Sequence, residues 1–186
     1  MLSVIIATRN SEHALVPTLC ALVAGATAGL IAEVLIADGG SQDETGVVAD
    51  VAGCDFLALE GPRGRRLRIA ADRARAPWLM FLEPGTVLYS PWIENAARFV
   101  EQPPPHRKAA VFRRGAGSQS ALREALSLLA SAFGSARPEQ GLLIAKPLYD
   151  EVGGHSESAA DPEAEFLRRV GRRRIVTLAA TAFCAR

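Results

Sequence analysis

The run Val34-Leu35-Ile36-Ala37 stops abruptly at Asp38, Gly39, Gly40 and Ser41, and this break constrains the chain more than any other feature. The run is short, rich in branched residues and does not alternate, as a strand covered on both faces requires. An apolar strand that ends at an acid and two glycines puts Asp38 at the carboxyl edge of a sheet, where open α/β sheets bind ligands. Gly39 and Gly40 permit tight turning and close backbone approach. Ser41 or Asp43 is placed to cap the next helix. Taken alone, Asp-Gly-Gly-Ser also reads as a plain strand-to-helix turn.

The N-terminus adds a second strand of the same kind. Leu2-Ser3-Val4-Ile5-Ile6-Ala7 is apolar, and Thr8-Arg9-Asn10-Ser11-Glu12 breaks it. Leu15, Leu19, Leu22 and Val23 then follow at helical spacing. Strand, polar turn, helix and second strand make a βαβ crossover. Two parallel strands ending on one edge would bring Thr8, Asn10, Glu12, Asp38 and Ser41 together.

Further along, strands are expected at about 54–59, 78–82, 109–113, 141–145 and 175–183. Helices are expected at about 12–25, 43–51, 65–75, 91–100 and 164–170, and an apolar helical stripe runs over 122–133. Strands alternating with helices predict an α/β fold, with a mostly parallel sheet flanked by helices, in a single domain over 1–186.

The segments SVIIATRNSEHALVPTLCAL and EVLIADGGSQDET resemble the opening of family-2 glycosyltransferases with the GT-A fold. The resemblance is to a small bacterial branch whose second strand ends in Asp-Gly-Gly-Ser. It continues through GPRGRRLRIAADRARAPWLMFLEPGTVL and GLLIAKPLYDEVGGHSESAADPEAEFLRRVGRRRIVTLAATAFCAR, and is least clear over residues 100–120. It implies a nucleotide-diphosphate sugar as donor and a separate, unidentified acceptor. By the same resemblance, Thr8, Asn10, Glu12, Asp38 and Ser41 hold the nucleoside. The chain ends about where the family continues into further helical sequence.

Sugar transfer leaves negative charge on the departing diphosphate, which needs a cation or arginines. It also needs a base for the acceptor hydroxyl. The family carries a metal-binding aspartate where Gly85 stands here. Glycine offers no oxygen ligand, so Glu83 is the remaining candidate for Mn or Mg, and the site is expected to be weak. Arg63 and Arg65 are then the diphosphate contacts. The family's Glu-Asp pair falls on Pro162 and Glu163, which makes Glu163 the candidate base with Asp161 beside it. Asp161, Pro162 and Glu163 also make an ordinary helix start. His155, in a Gly-Gly-His turn that resembles the family's Gly-Gly-Phe, is expected to be solvated.

Composition narrows the classes. A net charge of +1 gives no drive toward nucleic acid, and aromatic interleaving of basic residues is absent. The clusters Arg63, Arg65, Arg66, Arg68 and Arg168, Arg169, Arg172, Arg173, Arg174 are local, and the second reads best as a solvated face. Cys20, Cys54 and Cys184 fit neither a zinc spacing nor a disulfide framework, so buried free thiols in the cytoplasm are expected. No apolar stretch spans a bilayer, which leaves peripheral membrane contact open. The 122–133 stripe offers a surface for homodimerisation. Two functions are carried forward: a glycosyltransferase, and a catalytically impaired relative that serves as a nucleotide-binding or protein-interaction module. A nucleotidyltransferase ranks third, because the first loop lacks a glycine- and basic-rich sequence.

Overall fold

The computed structural model describes residues 1–89, 91–102, 107–115 and 136–184. The chain runs through β1 (Leu2–Thr8), α1 (Glu12–Thr27), β2 (Ile31–Asp38), α2 (Thr45–Val51), β3 (Asp55–Ala58), α3 (Arg63–Arg73) and β4 (Trp78–Leu82). It continues through β5 (Thr86–Leu88), α4 (Trp92–Val100), β6 (Ala109–Arg114), β7 (Leu142–Ala145), α5 (Lys146–Val152), α6 (Pro162–Val170) and β8 (Ile175–Cys184). One eight-stranded sheet joins the strands in the order β3-β2-β1-β4-β7-β6-β8-β5. Four of its seven pairings are parallel and three antiparallel.

The most apolar runs take the centre of the sheet. All seven residues of β1 are buried, and β1 pairs in parallel with β2 on one side and β4 on the other. β4 and β7 are also buried along their whole length. β3 lies at the edge and is largely exposed, as a short edge strand with a charged first residue allows. α1 lays Leu15, Thr18, Leu19 and Leu22 on the core, and Gly25 admits Trp92 of α4 so closely that a Cβ there would lie 2.4 Å from the indole.

The amino ends of the strands are tied by a buried polar knot. Ser3 donates to the Glu33 carboxylate and accepts from the Ala76 amide at 3.0 Å, while Arg75 pairs with Glu33 at 2.8 Å. A buried acid held in this way costs less than an unpaired one. The knot fixes the loop between α3 and β4 against β1 and β2, leaving the carboxyl ends of the strands for the loops that face the site.

The α/β reading and the order of elements agree with this structure. β5 and α5 were not anticipated. β5 has only three residues, and α5 begins directly after β7 with a proline in its first turn, so no break marks the boundary. Neither Ser41 nor Asp43 caps α2 in the expected way. Glu44 takes the N-cap position, Ser41 turns toward Asp38, and Asp43 accepts from the Thr45 amide at 3.1 Å. The thiols are not uniformly buried: Cys20 is exposed and Cys54 half-buried. Burial and the neighbouring Asp55 push the Cys54 thiol up to about 11. The 122–133 stripe, its proposed dimer surface and His106 lie outside the described residues.

Candidate functional site

The carboxyl ends of β1 and β2 are stitched together by side chains. The Asp38 carboxylate accepts from Thr8 Oγ1 at 2.8 Å, from the Gly40 amide at 2.9 Å, from the Ser41 amide at 2.8 Å, and from Ser41 Oγ. Burial alone would raise its pKa, but these donors more than offset burial and hold it below the usual carboxylate range. Asn10, the one non-glycine among the described residues with positive φ (50°), accepts from the Gln42 amide at 2.7 Å and donates its own amide to Ser41 Oγ at 2.8 Å. Glu12 accepts from the Glu44 amide and donates its amide to Asp43, each at 3.1 Å. The five predicted nucleoside residues are thus gathered in one place, and their polar atoms lock the two loops to each other.

Beneath this lattice lies a residue the sequence reading named only as part of a basic cluster. Arg66 of α3 is buried, and its Nη1 donates to the carbonyls of Thr8 at 2.7 Å and Ala37 at 2.6 Å. Its guanidinium packs on Gly39, where a Cβ would fall 2.7 Å from the guanidinium carbon. Gly39 is therefore needed to make room for an arginine, while the positive φ of the turn (82°) falls on Gly40. The signal in the sequence was Arg66 four residues before Ala70 on α3; both are buried.

A second cluster sits beside the first. Arg63, the first residue of α3, donates from Nε to Glu163, from Nη2 to Glu83 at 2.8 Å, and from Nη1 to the Ala7 carbonyl at 3.0 Å. Its three anchors come from α6, from the turn after β4, and from β1. Burial disfavours its charge, but Glu163 and Glu83 reverse the balance and raise its pKa further. Burial pushes the Glu83 carboxyl up to about 7; Arg63 opposes that shift and Glu163 adds to it. Close packing makes the cluster feasible. A Cβ on Gly64 would lie 1.9 Å from the Ser156 carbonyl, so α3 touches the segment that leads into α6.

The cluster forms one wall of an open cleft of about 740 Å³, to which Arg114, Glu139, Asp161 and Phe183 also contribute. Asp161 caps α6, accepting from the Ala164 amide at 2.9 Å. Arg65 is exposed beside Gly61 and does not line the cleft. His155 is fully buried, contrary to the expectation of a solvated loop residue. Its ring sits among Phe81, Tyr149 and Phe166, and the Gly153-Gly154 turn, both residues at positive φ, carries it inward. In the second basic cluster, Arg169 pairs with Glu165 and ties down the carbonyls of Val152 and Gly154, and Arg174 pairs with Glu151.

A family model for glycosyl transferase family 2 matches residues 3–139, well over half of the chain. The chain belongs to glycosyl transferase family 2. Solved structures share its GT-A glycosyltransferase fold. TarS 1-349 of S. aureus is 18% identical with a TM-score of 0.72, and the match covers 99% of this chain and 60% of that one. Glucosyl-3-phosphoglycerate synthase from Mycobacterium tuberculosis, solved with Mn2+, UDP and glucosyl-3-phosphoglycerate, is 15% identical with a TM-score of 0.69, covering 100% and 72%. The mannosyltransferase PcManGT from Pyrobaculum calidifontis, solved with GDP-Man and Mn2+, is 12% identical with a TM-score of 0.71, covering 98% and 56%. This chain therefore spans about 60% of the length of TarS 1-349 and 56% of PcManGT. No curated protein matches the sequence. Among the described residues, no helix is long and apolar enough to cross a membrane.

Two of these structural neighbours were solved with Mn2+ and a nucleotide. The residues of this chain do not fit such an ion. Gly85 is buried at φ 91°, and its amide donates to the Ala14 carbonyl at 2.8 Å and to Thr18 Oγ1 at 2.9 Å, which binds the turn to α1. A side chain at that φ is strained. The Glu83 carboxylate, the predicted metal ligand, is instead paired with Arg63. Among the described residues, no three His, Cys, Asp or Glu gather as a metal-holding group.

Proposed function

We propose that this chain transfers a sugar from a nucleotide-diphosphate donor to an acceptor hydroxyl, with Glu163 as the base. What carries the reading is the placement of Glu163. Its side chain is only 12% exposed, it lines the cleft, and it lies beside the carboxyl ends of β1 and β4 through Arg63 and Glu83. In the proposed step the Glu163 carboxylate takes the acceptor proton, and the freed oxygen bonds to the anomeric carbon. The bond from that carbon to the diphosphate oxygen breaks, and the diphosphate leaves with the electron pair. The Thr8, Asn10 and Asp38 loops take the nucleoside, and Arg63 meets the diphosphate. Sharp localisation matters here, because ångström-scale misplacement of a catalytic group is costly.

The experiment is calorimetry with UDP, GDP and their sugar forms, followed by turnover with a panel of hydroxyl acceptors. Glu163→Gln should keep donor affinity within about threefold and lower turnover by at least ~100-fold, the usual contribution of a positioned base. Full turnover in that variant would remove Glu163 from the role. Donor binding by the parent chain without any turnover would leave a nucleotide-binding module.

A further inference from the structure

We propose that donor binding in this chain is independent of divalent cations, because Arg63 already holds the two carboxylates that such an ion would need. This rests on the donor reading above and goes beyond it. Arg63 is held at three points, by Glu163, Glu83 and the Ala7 carbonyl. A metal ion entering between the two carboxylates would have to displace a guanidinium from both. It would strand that largely buried cation with a single carbonyl, which is costly. It would then find two glutamates and, among the described residues, no third His, Cys, Asp or Glu gathered with them. Hard divalent ions need more oxygen than that.

Arg63 is also suited to the task in place of the ion. A guanidinium has five N–H groups. Three are used by its anchors, which leaves one on each terminal nitrogen. Those anchors fix its conformation before the donor arrives, so little side-chain freedom remains to be lost on binding. Arg114, exposed on the same cleft and without a partner among the described residues, adds a second guanidinium. The cleft is not a general anion trap, since Glu83, Glu139, Asp161 and Glu163 line it as well. The diphosphate is held only because the nucleoside loops deliver it. Pyrophosphate alone should therefore bind weakly.

The test is calorimetry of UDP, GDP and pyrophosphate against the full chain, first in EDTA and then in millimolar Mn2+. The inference expects one nucleoside diphosphate to bind in EDTA with an affinity that Mn2+ changes by less than about twofold. Pyrophosphate should bind at least ~10-fold more weakly. Arg63→Ala should weaken the nucleotide by at least ~10-fold, the scale of a charge-assisted hydrogen bond. Because that variant strands two carboxylates, Arg114→Ala serves as a second probe on an exposed residue, with a loss of about threefold expected. Strengthening by Mn2+ of ~10-fold or more would overturn metal independence while leaving the donor reading intact. Unchanged affinity in folded Arg63→Ala would also overturn it. Absence of nucleotide binding in both buffers would overturn the donor reading, and this inference with it.

Discussion

The α-carbon of Gly64 presses against the carbonyl of Ser156, closely enough that a Cβ would lie 1.9 Å from that oxygen. The same position would bring a Cβ to 3.1 Å from Pro162, the first residue of α6. Gly64 is thus the hinge pin between Arg63 on α3 and Glu163 on α6. The obstruction is backbone, so it cannot swing aside. Gly64→Ala should cost about 1–3 kcal/mol of stability, in spite of alanine's better helix propensity. Thermal unfolding should show a lower Tm, and donor affinity should fall along with it as the Arg63 anchors separate. An unchanged Tm would mean that the segment at Ser156 yields freely.

Asp38 makes its four hydrogen bonds as an acceptor, which only a carboxylate can do. In Asp38→Asn one oxygen becomes an NH2 group that faces donors. The loss should be about 2–4 kcal/mol, from broken bonds and unpaired donors in a buried turn. Urea denaturation should show a lower midpoint with an unchanged m value. The sign of the pH dependence follows from the depressed folded pKa. Asp38's contribution is present above its ordinary value of 3.8 and is lost as pH falls through the lower folded value.

Sequence and structure agree most closely where burial dictates pattern. β1, β4 and the second half of β2 are mainly apolar runs because both faces are covered, and each stops where the chain meets the site edge. The gathering of Thr8, Asn10, Asp38 and Ser41 followed from parallel pairing alone. Two kinds of feature were not legible. Arg66 and His155 are polar residues turned inward by tertiary packing, against the general tendency of their types. The Arg63–Glu83–Glu163 cluster joins residues 20 to 100 positions apart, and only the fold brings them together. Arg63 was read from the sequence as a diphosphate contact, and its hold on both carboxylates was not legible there. The pairing of Glu83 with Arg63 was out of sight in the sequence.

Glu83 should make stability depend on pH in the neutral range. Burial and Glu163 raise its folded pKa to about 7, against an ordinary 4.5, despite the opposing pull of Arg63. A raised acid is favoured in its protonated form, so the folded state binds the proton more tightly than the unfolded chain. That contribution is complete below pH 4.5 and is lost as pH rises through 7. Glu83→Gln keeps the shape without the charge. Its stability relative to the parent should rise between pH 5 and pH 8 by about 2–3 kcal/mol. Denaturant titrations at both pH values check this, and a constant difference would mean that Glu83 stays ionised throughout.

His155 should act in the opposite direction. The Tyr149 hydroxyl accepts from the His155 amide at 3.1 Å and lies 3.0 Å from Nδ1, in hydrogen-bond reach of the ring. The other ring nitrogen, Nε2, is buried without a hydrogen-bond partner among the described residues. Burial, with Arg169 and Arg63 nearby, lowers the imidazole to about 3. A histidine held neutral in the folded state stabilises fully above its ordinary value of 6.5. The unfolded chain binds the proton first as pH falls, so stability drops by up to about 1.4 kcal/mol per pH unit from there down to about 3. His155→Phe removes that titration and the unpartnered nitrogen, and it keeps an aromatic ring against Phe81 and Phe166, 4.7 and 4.8 Å away. At pH 8 the variant should match the parent within about 1 kcal/mol. At pH 5 it should be the more stable of the two by about 2 kcal/mol. A variant that tracks the parent at both pH values would show that the imidazole already carries a proton in the fold.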